Sequence, residues 1–328
     1  MCASAIDVKP KSKPKTQPSP RVAPAVRSCY DVLDVCTYCG ISDFTDGKYI
    51  DPRNDRQTYL AAQRRQADYL LDQINCGPGK RILDIGCGYG RILEAAVGRG
   101  AEAVGITISP PQVDSCRRRE LEVYQCNCRD IFSSPTCDGW EGTFDGIVAN
   151  GSLEHFVQAE DAAAGRDNEM YRELFAICRR LLKPGGKFVT TAIHASREGQ
   201  VDPEDIMKDP ASFPKHTDDY HAANLYRSFG GWFPVPRQLE WCAAGDFDLI
   251  AEEDGTHDYH MTSEYWLWQL KRSFALSPSA WWALGRSLLR FPWPTINMLR
   301  CLMWDQSWNY QFRAPAPTRL LRQTWQAV

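Results

Sequence analysis

Long hydrophobic runs are missing from this chain: no window among its 328 residues approaches the run of about eighteen apolar residues that spans a bilayer. An excess of basic charge is missing too. With 38 Lys and Arg against 41 Asp and Glu the formal net charge is −3, so bulk composition gives no reason to expect nucleic acid as a partner. No hydrophobic signal stretch comes ahead of the thirteen cysteines, an odd number scattered along the expected core. That argues against a disulfide framework and for reduced thiols, so a soluble, cytoplasmic protein is expected. What is present is 43% apolar content over a length that can bury a full α/β core in one large domain.

The most informative stretch is Arg81-Ile82-Leu83-Asp84-Ile85-Gly86-Cys87-Gly88-Tyr89-Gly90. Arg81 to Ile85 reads as a buried strand, and Gly86, Gly88 and Gly90 permit a tight turn with backbone close to a ligand. A helix near Tyr89 to Gly98 would aim its free N–H groups at that ligand. Glycines at such turns also serve packing alone, and the second strand bears on the choice. The last glycine of the dinucleotide pattern G-x-G-x-x-G is absent, since Arg91 stands in its place. Absent as well is the carboxylate that a nicotinamide site wants at the end of its second strand: Ala103-Val104-Gly105-Ile106 runs into Thr107-Ile108-Ser109-Pro110-Pro111-Gln112. Hydroxyl and amide groups there suit the same ribose, with Ser109 as N-cap of the helix through Arg119. S-adenosyl-L-methionine is thereby favoured over NAD. Phe144 to Asn150 fits a fourth strand, and Leu182 to Thr191 a helix end, a turn and a fifth strand.

Four segments resemble one family. Leu83 to Gly90 is similar to its cofactor loop, and Val104 to Ser109 with Gln112 to its second-strand motif. Asp145-Gly146-Ile147-Val148 leading to Leu153-Glu154-His155-Phe156 is similar to the strand and Phe-Glu-His segment that follow, and Cys36-Thr37-Tyr38 to a Cys-Ala-Tyr segment upstream. The family is the cyclopropane fatty acid synthase and mycolic acid methyltransferase group of class I methyltransferases. The likeness runs from about Tyr30 to Thr191 and thins beyond that to scattered matches such as Trp325-Gln326. It implies an α/β fold, a doubly wound, mostly parallel seven-stranded Rossmann-like sheet with an α-rich substrate cap. It also implies S-adenosyl-L-methionine held by Asp84, Gly86, Gly88, Gly90, Thr107, Ile108 and Gln112, with Cys128, Arg129 and Asp130 at the adenine and Asn150 completing the set.

Cyclopropane synthases of this group are understood to hold a bicarbonate base with a cysteine, a glutamate, a histidine on the fifth strand and a tyrosine near the C-terminus. Cys36 and Glu154 match two of these, and Tyr38 is carried over with Cys36 as a catalytic candidate. The strand histidine falls at Thr191, with His194 three residues later, and the C-terminal region offers Trp304, Trp308 and Tyr310 without a clear tyrosine match. The resemblance thus implies cofactor use but not ring closure. Neither Cys36-x-x-Cys39, which lies on a segment the resemblance explains, nor Cys126-x-Cys128, after the third strand, is read as a metal site.

Methyl transfer is an in-line displacement from a sulfonium, so the enzyme's tasks are alignment and exclusion of water. An alkene acceptor would be left as a carbocation, which needs negative or π-electron density nearby and then a base. Glu154, just after the fourth strand at the carboxyl edge of the sheet, suits both needs. It equally suits a helix-start carboxylate stabilised by the dipole, with His155 a solvated neighbour.

Residues 1–27, with six basic residues against Asp7 and many prolines, read as a disordered tail. The methyltransferase domain is expected over 28–275. Within it a helix from Asn54 to Ile74 would help cover the cofactor, and the aromatic, turn-rich 192–247 would form a substrate cap. Phe247 to Glu253 and the stretch around Tyr259 read as antiparallel strands that finish the sheet, followed by a helix from about Thr262 to Phe274. Residues 276–328 form a helical extension with Trp281, Trp282, Trp293, Trp304, Trp308 and Trp325, six arginines and one aspartate. Such a composition suits a peripheral membrane contact, an acyl tunnel or a plain cap. The function expected is methyl transfer to an unsaturated or hydrophobic, lipid-like acceptor. The alternatives are N-, O- or S-methylation of a small metabolite and a cofactor-binding protein without turnover.

Overall fold

The computed structural model describes residues 24–41 and 44–328. Most of the basic tail therefore lies outside the described residues, and its last four residues, 24–27, open the first helix, α1 (Pro24–Tyr38). Next come α2 (Arg56–Gln73), β1 (Arg81–Ile85), α3 (Arg91–Gly98), β2 (Glu102–Thr107), α4 (Pro110–Arg117), β3 (Glu122–Gln125) and β4 (Phe144–Asn150). The middle of the chain forms α5 (Ala159–Ala163), α6 (Asp167–Leu181), β5 (Leu182–Ala195), α7 (Pro203–Ile206), α8 (Asp218–Phe229), α9 (Gln238–Ala243) and β6 (Phe247–Asp254). The last part holds α10 (Thr256–Leu276), α11 (Pro278–Arg290), α12 (Pro292–Leu299), α13 (Ser307–Tyr310) and β7 (Thr318–Ala327).

The strands form one sheet in the order β3-β2-β1-β4-β5-β7-β6. The first five are parallel and β7 runs antiparallel to both neighbours. The chain winds outward from β1 to β2 and β3, then crosses back to lay β4 on the other side of β1, so a crevice opens beyond the carboxyl ends of β1 and β4 where the winding reverses. Helices cover both faces, which is why the central strands read as unbroken apolar runs. On one face Phe175 of α6 packs edge-on against Trp325, with ring centroids 5.1 Å apart, and touches Phe188 and Phe247. On the other face α2 brings Ile74 so close to β4 that a Cβ on Gly146 would lie 2.9 Å from it. None of the residues lining the cofactor crevice comes from α2, so that helix supports the sheet and does not cover the cofactor.

Two expectations are corrected. The stretch around Tyr259 is helix: α10 starts at Thr256 and buries Tyr259, Thr262, Ser263, Trp266 and Leu270, a 3.6-residue period rather than alternation. The final strand comes instead from the end of the chain, where β7 inserts between β5 and β6, so residues 276–328 are no separate helical extension. Flanked on both edges and both faces, Arg322 to Trp325 are all buried, which removes the alternating pattern that marks a half-exposed strand. Arg322 is fully covered and ties the ends of the chain together. Its guanidinium meets Asp46 (Nε to Oδ2, 3.1 Å), Glu253 (2.8 Å) and Asp258 (2.8 Å).

Candidate active site

A cleft of about 900 Å³ lies at the carboxyl ends of β1, β2 and β4. Its floor is the turn after β1, where Gly86, Gly88 and Gly90 have φ of 77°, 53° and 81°, in the left-handed region. The three glycines do different work. The N–H groups of Gly86 and Cys87 both donate to the Ile106 carbonyl, anchoring the turn to β2, and a Cβ on Gly86 would strike Ser152 at 2.7 Å. A Cβ on Gly90 would lie 2.6 Å from Leu121, and Gly90 is not among the cleft-lining residues: it packs the turn against the protein. Gly88 alone of the three has open space where a Cβ would project, on the cleft wall, so its main chain is the part a ligand can approach closely.

Beyond β2, the Thr107 hydroxyl donates to Gln112 Oε1 at 2.6 Å and accepts from the Ser109 N–H at 3.2 Å. Both side chains are buried and line the cleft with Ile108. Thr107 therefore positions Gln112, whose amide NH2 is the group suited to a ribose hydroxyl. Ser109 precedes α4 as expected, yet its hydroxyl makes no cap and is buried without a partner. Asp84 and Asn150 line the cleft at the ends of β1 and β4, and Asn150 Oδ1 accepts the Thr191 hydroxyl at 2.7 Å.

At the adenine end the expectation is corrected in part. Asn127 caps a 3₁₀ turn over Cys128–Asp130, accepting from the Arg129 N–H at 3.2 Å. That turn sends Cys128 into the core, where it is 4% exposed, and aims Arg129 at the Phe156 carbonyl and Glu173. Asn127, Cys128 and Arg129 remain on the cleft wall, and Asp130 does not line it. Asn127 is the polar residue that the motif-based reading missed.

A second, smaller cavity of about 170 Å³ meets the cleft at Phe44, Gly151 and His155, which line both. The cap segment supplies one side through Ile206, His221, Leu225 and Phe229 to Phe233, and α1, α10, the turn after β4, the end of β5 and the segment before β7 also line it. Aromatic rings dominate it. Trp266 stacks near Trp308 (5.9 Å), and Tyr259 meets both edge-on at 6.1 and 5.9 Å.

Glu154 sits on a 3₁₀ turn (Leu153–His155) after β4, 5% exposed, and lines this cavity. Its Oε1 accepts the Ile193 N–H at 2.7 Å, and its Oε2 has no partner. Burial raises the carboxyl to about 7; the charge of Asp46 adds to the rise, and main-chain hydrogen bonds oppose it. The cap is pinned to this turn: Trp232 N–H donates to the Glu154 carbonyl at 2.9 Å, and Gly231, with φ of 87°, leaves no room there for a Cβ. His155 is part-buried, on the wall that the cleft and the cavity share, and desolvation lowers its pKa to about 4 and holds it neutral.

Cys36 lines the cavity and is 1% exposed, and burial pushes its thiol far above the ordinary range. Tyr38 is elsewhere. It is 38% exposed on the cleft rim, beside Trp282 and the Arg286 guanidinium, and does not line the cavity. No imidazole stands at the fifth-strand position, since Thr191 there holds Asn150, and His194 is buried off the cavity wall between Ile193 and Ala195, which do line it. Of the C-terminal aromatics, Trp304 is exposed while Trp308 and Tyr310 line the cavity; Tyr259, expected on a strand, lines it too and donates its hydroxyl to the Phe44 carbonyl at 3.2 Å. Among the described residues no group of His, Cys, Asp and Glu could hold a metal ion.

A parallel sheet reversing beside a glycine turn, with an amide rather than a carboxylate at the end of β2, defines a class I S-adenosyl-L-methionine-dependent methyltransferase, and the open face at Gly88 fits that cofactor. The family model for mycolic acid cyclopropane synthetase matches residues 44–275, and the chain belongs to that family. Cyclopropane mycolic acid synthase 3 of Mycobacterium tuberculosis is 26% identical over 219 residues, 65% of this chain and 69% of that protein. The tuberculostearic acid methyltransferase UfaA1 of the same species is 30% identical over 141 residues, 40% of this chain and 29% of that protein. Among solved structures, the cyclopropane synthase MmaA2 from Mycobacterium tuberculosis superposes with a TM-score of 0.70 at 18% identity, covering 92% of this chain and 97% of that one. The mycolic acid cyclopropane synthase CmaA1, solved with SAH and CTAB, gives 0.66 at 18% identity over the same shares.

Proposed function

We propose that this methyltransferase acts on an unsaturated or otherwise hydrophobic, lipid-like acceptor bound in the aromatic cavity. The observation that carries the proposal is Glu154: a buried carboxylate with one oxygen unpartnered, on the wall of an apolar cavity that opens onto the cofactor cleft. Bound cofactor supplies an electrophilic methyl group on a sulfonium. The acceptor's π electrons would take up that methyl group, the electron pair of the broken bond staying with the cofactor's sulfur, and a cation would be left on the acceptor. The resulting cation is faced by the rings of Tyr259, Trp266 and Trp308 and by the Glu154 carboxylate. Glu154 Oε2 then takes a proton from a carbon next to the cation. With a threonine at position 191 in place of a histidine, the proton is assigned to Glu154 itself. The test is incubation with methyl-labelled cofactor and lipid and small-metabolite extracts of the source cells. Label in an acyl or other apolar product is expected, and label confined to the aqueous fraction would refute the proposal in favour of a small-metabolite acceptor.

A peripheral membrane contact, on a cytoplasmic surface, is proposed with it. Trp281, Trp282, Leu289 and Trp293 are 59, 58, 90 and 73% exposed on α11 and at the start of α12. From Leu276 to Trp304 the chain has Arg286, Arg290 and Arg300 and no acidic residue; Arg286 pairs with Asp34 and Arg300 with Asp305, so Arg290 is the charge offered to an anionic lipid surface. No helix of the described residues is long and apolar enough to cross a membrane. Co-sedimentation with phosphatidylglycerol-containing vesicles should be lost in a Trp281→Ser, Trp282→Ser variant; binding that ignores both lipid charge and these substitutions would refute the contact.

A further inference from the structure

The acceptor cavity has a second polar region, built by α8 and the segment that follows α13. Gln311 lines the cavity and is 1% exposed, and neither its Oε1 nor its Nε2 has a partner. Its main chain is fixed all the same: its carbonyl accepts the Thr318 hydroxyl at 2.8 Å. His221, on α8, lines the same cavity and is 2% exposed. Its ring is held on both sides, with Nδ1 2.9 Å from the Ser307 hydroxyl and its face stacked on Tyr310 at 3.8 Å. The Nε2 that remains has no partner. Tyr310 is itself oriented by its hydroxyl bond to Asp218 at 2.9 Å, and Asp218 is held in turn by Gln200 at 3.2 Å.

A buried primary amide with both of its polar atoms unpaired is costly, and a leucine or methionine would fill the same place without that cost. On the same cavity a buried imidazole, clamped at one nitrogen and on one face, leaves the other nitrogen unsatisfied. Two such groups lining a largely apolar cavity, whose other polar residues include Glu154, Arg197 and the paired Asp218 and Gln200, and held on scaffolding that fixes their orientation, make a site with donors and acceptors left for a ligand. Gln311 supplies an NH2 with two N–H donors and a carbonyl acceptor. His221, its pKa lowered to about 4 mainly by burial, is neutral at ordinary pH and supplies one or the other. Neither brings a charge.

We infer that His221 and Gln311 form a polar subsite that takes a neutral hydrogen-bonding group, a hydroxyl or carbonyl, carried by the apolar acceptor. The inference rests on the acceptor occupying this cavity, and it narrows the substrate class: the acceptor is an amphiphile with an oxygen function inside the pocket rather than a plain hydrocarbon chain. That oxygen function fixes how far the chain enters, and so which carbon meets the methyl group at Glu154.

The test uses the full chain saturated with S-adenosylhomocysteine, and 1-octanol and n-octane as probes that differ in one hydroxyl. Binding is read by displacement of a fluorescent fatty-acid probe from wild type, Gln311→Leu, Gln311→Met and His221→Phe. The last substitution keeps the ring stacked on Tyr310. The expected result is an octanol affinity about tenfold or more weaker in the variants, with octane affinity held or improved and S-adenosylhomocysteine affinity unchanged. Melting temperature should hold or rise in Gln311→Leu or Gln311→Met, since an unpaired buried amide is removed; two variants guard against one that fails to fold. If both probes bind and the substitutions move them equally or not at all, the amide serves only ordered water; the subsite is overturned and the acceptor cavity stands. If neither probe binds wild type, the apolar-acceptor reading fails and the subsite falls with it.

Discussion

Replacing Glu154 with glutamine removes one ionisation and little else, because the new Oε1 can still accept the Ile193 N–H that the carboxylate accepts at 2.7 Å. The folded-state carboxyl stands at about 7 against an ordinary 4.5, chiefly because it is buried. That rise corresponds to roughly 3 kcal/mol of disfavour for the ionised folded form. The sign follows from linkage. Below pH 4.5 the carboxyl is protonated whether the chain is folded or not, and it costs nothing. As pH rises toward 7 the unfolded chain ionises first, so folding stability falls, and the loss is complete above about 7. Glu154→Gln is therefore expected to match wild type near pH 4.5 and to exceed it by up to about 3 kcal/mol at pH 8, read from urea denaturation at the two pH values. Activity should move the opposite way. Wild-type turnover rises through pH 7 as the base ionises, and the variant loses that limb and about 10² to 10⁴ in rate, with S-adenosylhomocysteine affinity retained. Equal pH slopes of stability in the two proteins, or a persistent limb in the variant, would refute both the buried-carboxyl account and the role of Glu154 as base.

Gly88→Ala should cost only about 1 kcal/mol in stability, since a Cβ there meets nothing and only the left-handed backbone resists it, yet cofactor affinity should drop about tenfold as the methyl enters the cleft. Gly90→Ala should do the reverse, losing about 1 to 3 kcal/mol against Leu121 with less direct effect on the ligand; titration with S-adenosylhomocysteine beside urea midpoints separates the two cases. Arg322→Met should cost about 3 to 5 kcal/mol, because Asp46 is left buried without its cationic partner, and an unchanged urea midpoint would contradict that. Burial should leave Cys36 slow to alkylate in the native protein at pH 8, with full labelling only in denaturant; rapid native labelling would mean that the thiol is exposed or ionised.

Legibility in the sequence tracked distance along the chain. The turn at Gly86 and Gly88 and the Thr107 to Gln112 segment are short, and their chemistry depends on neighbours within a few residues, so pattern alone located them. The same local logic failed at Asp130. Its neighbours Asn127 and Cys128 enter a 3₁₀ turn whose facing is decided by a core that Cys128 joins. Tyr259 was misplaced for a related reason: an aromatic-rich stretch has strand propensity, and α10 forms because one face of it packs on the cavity and core.

Strand-turn-helix order and the absence of a nicotinamide-type carboxylate were set by residue type and spacing, because each depends on backbone geometry that a few adjacent side chains impose; Cys36 and Glu154 were singled out through the family resemblance. Tertiary structure alone decided that Thr318 to Ala327 enter the sheet between β5 and β6, and that Tyr259, Trp308 and Gln311 line one cavity with Glu154. It also decided that Thr107 serves Gln112. These contacts join segments that only the closed sheet brings together, and burial, which sets both the Glu154 carboxyl and the unpaired amide of Gln311, is a property of that assembled whole.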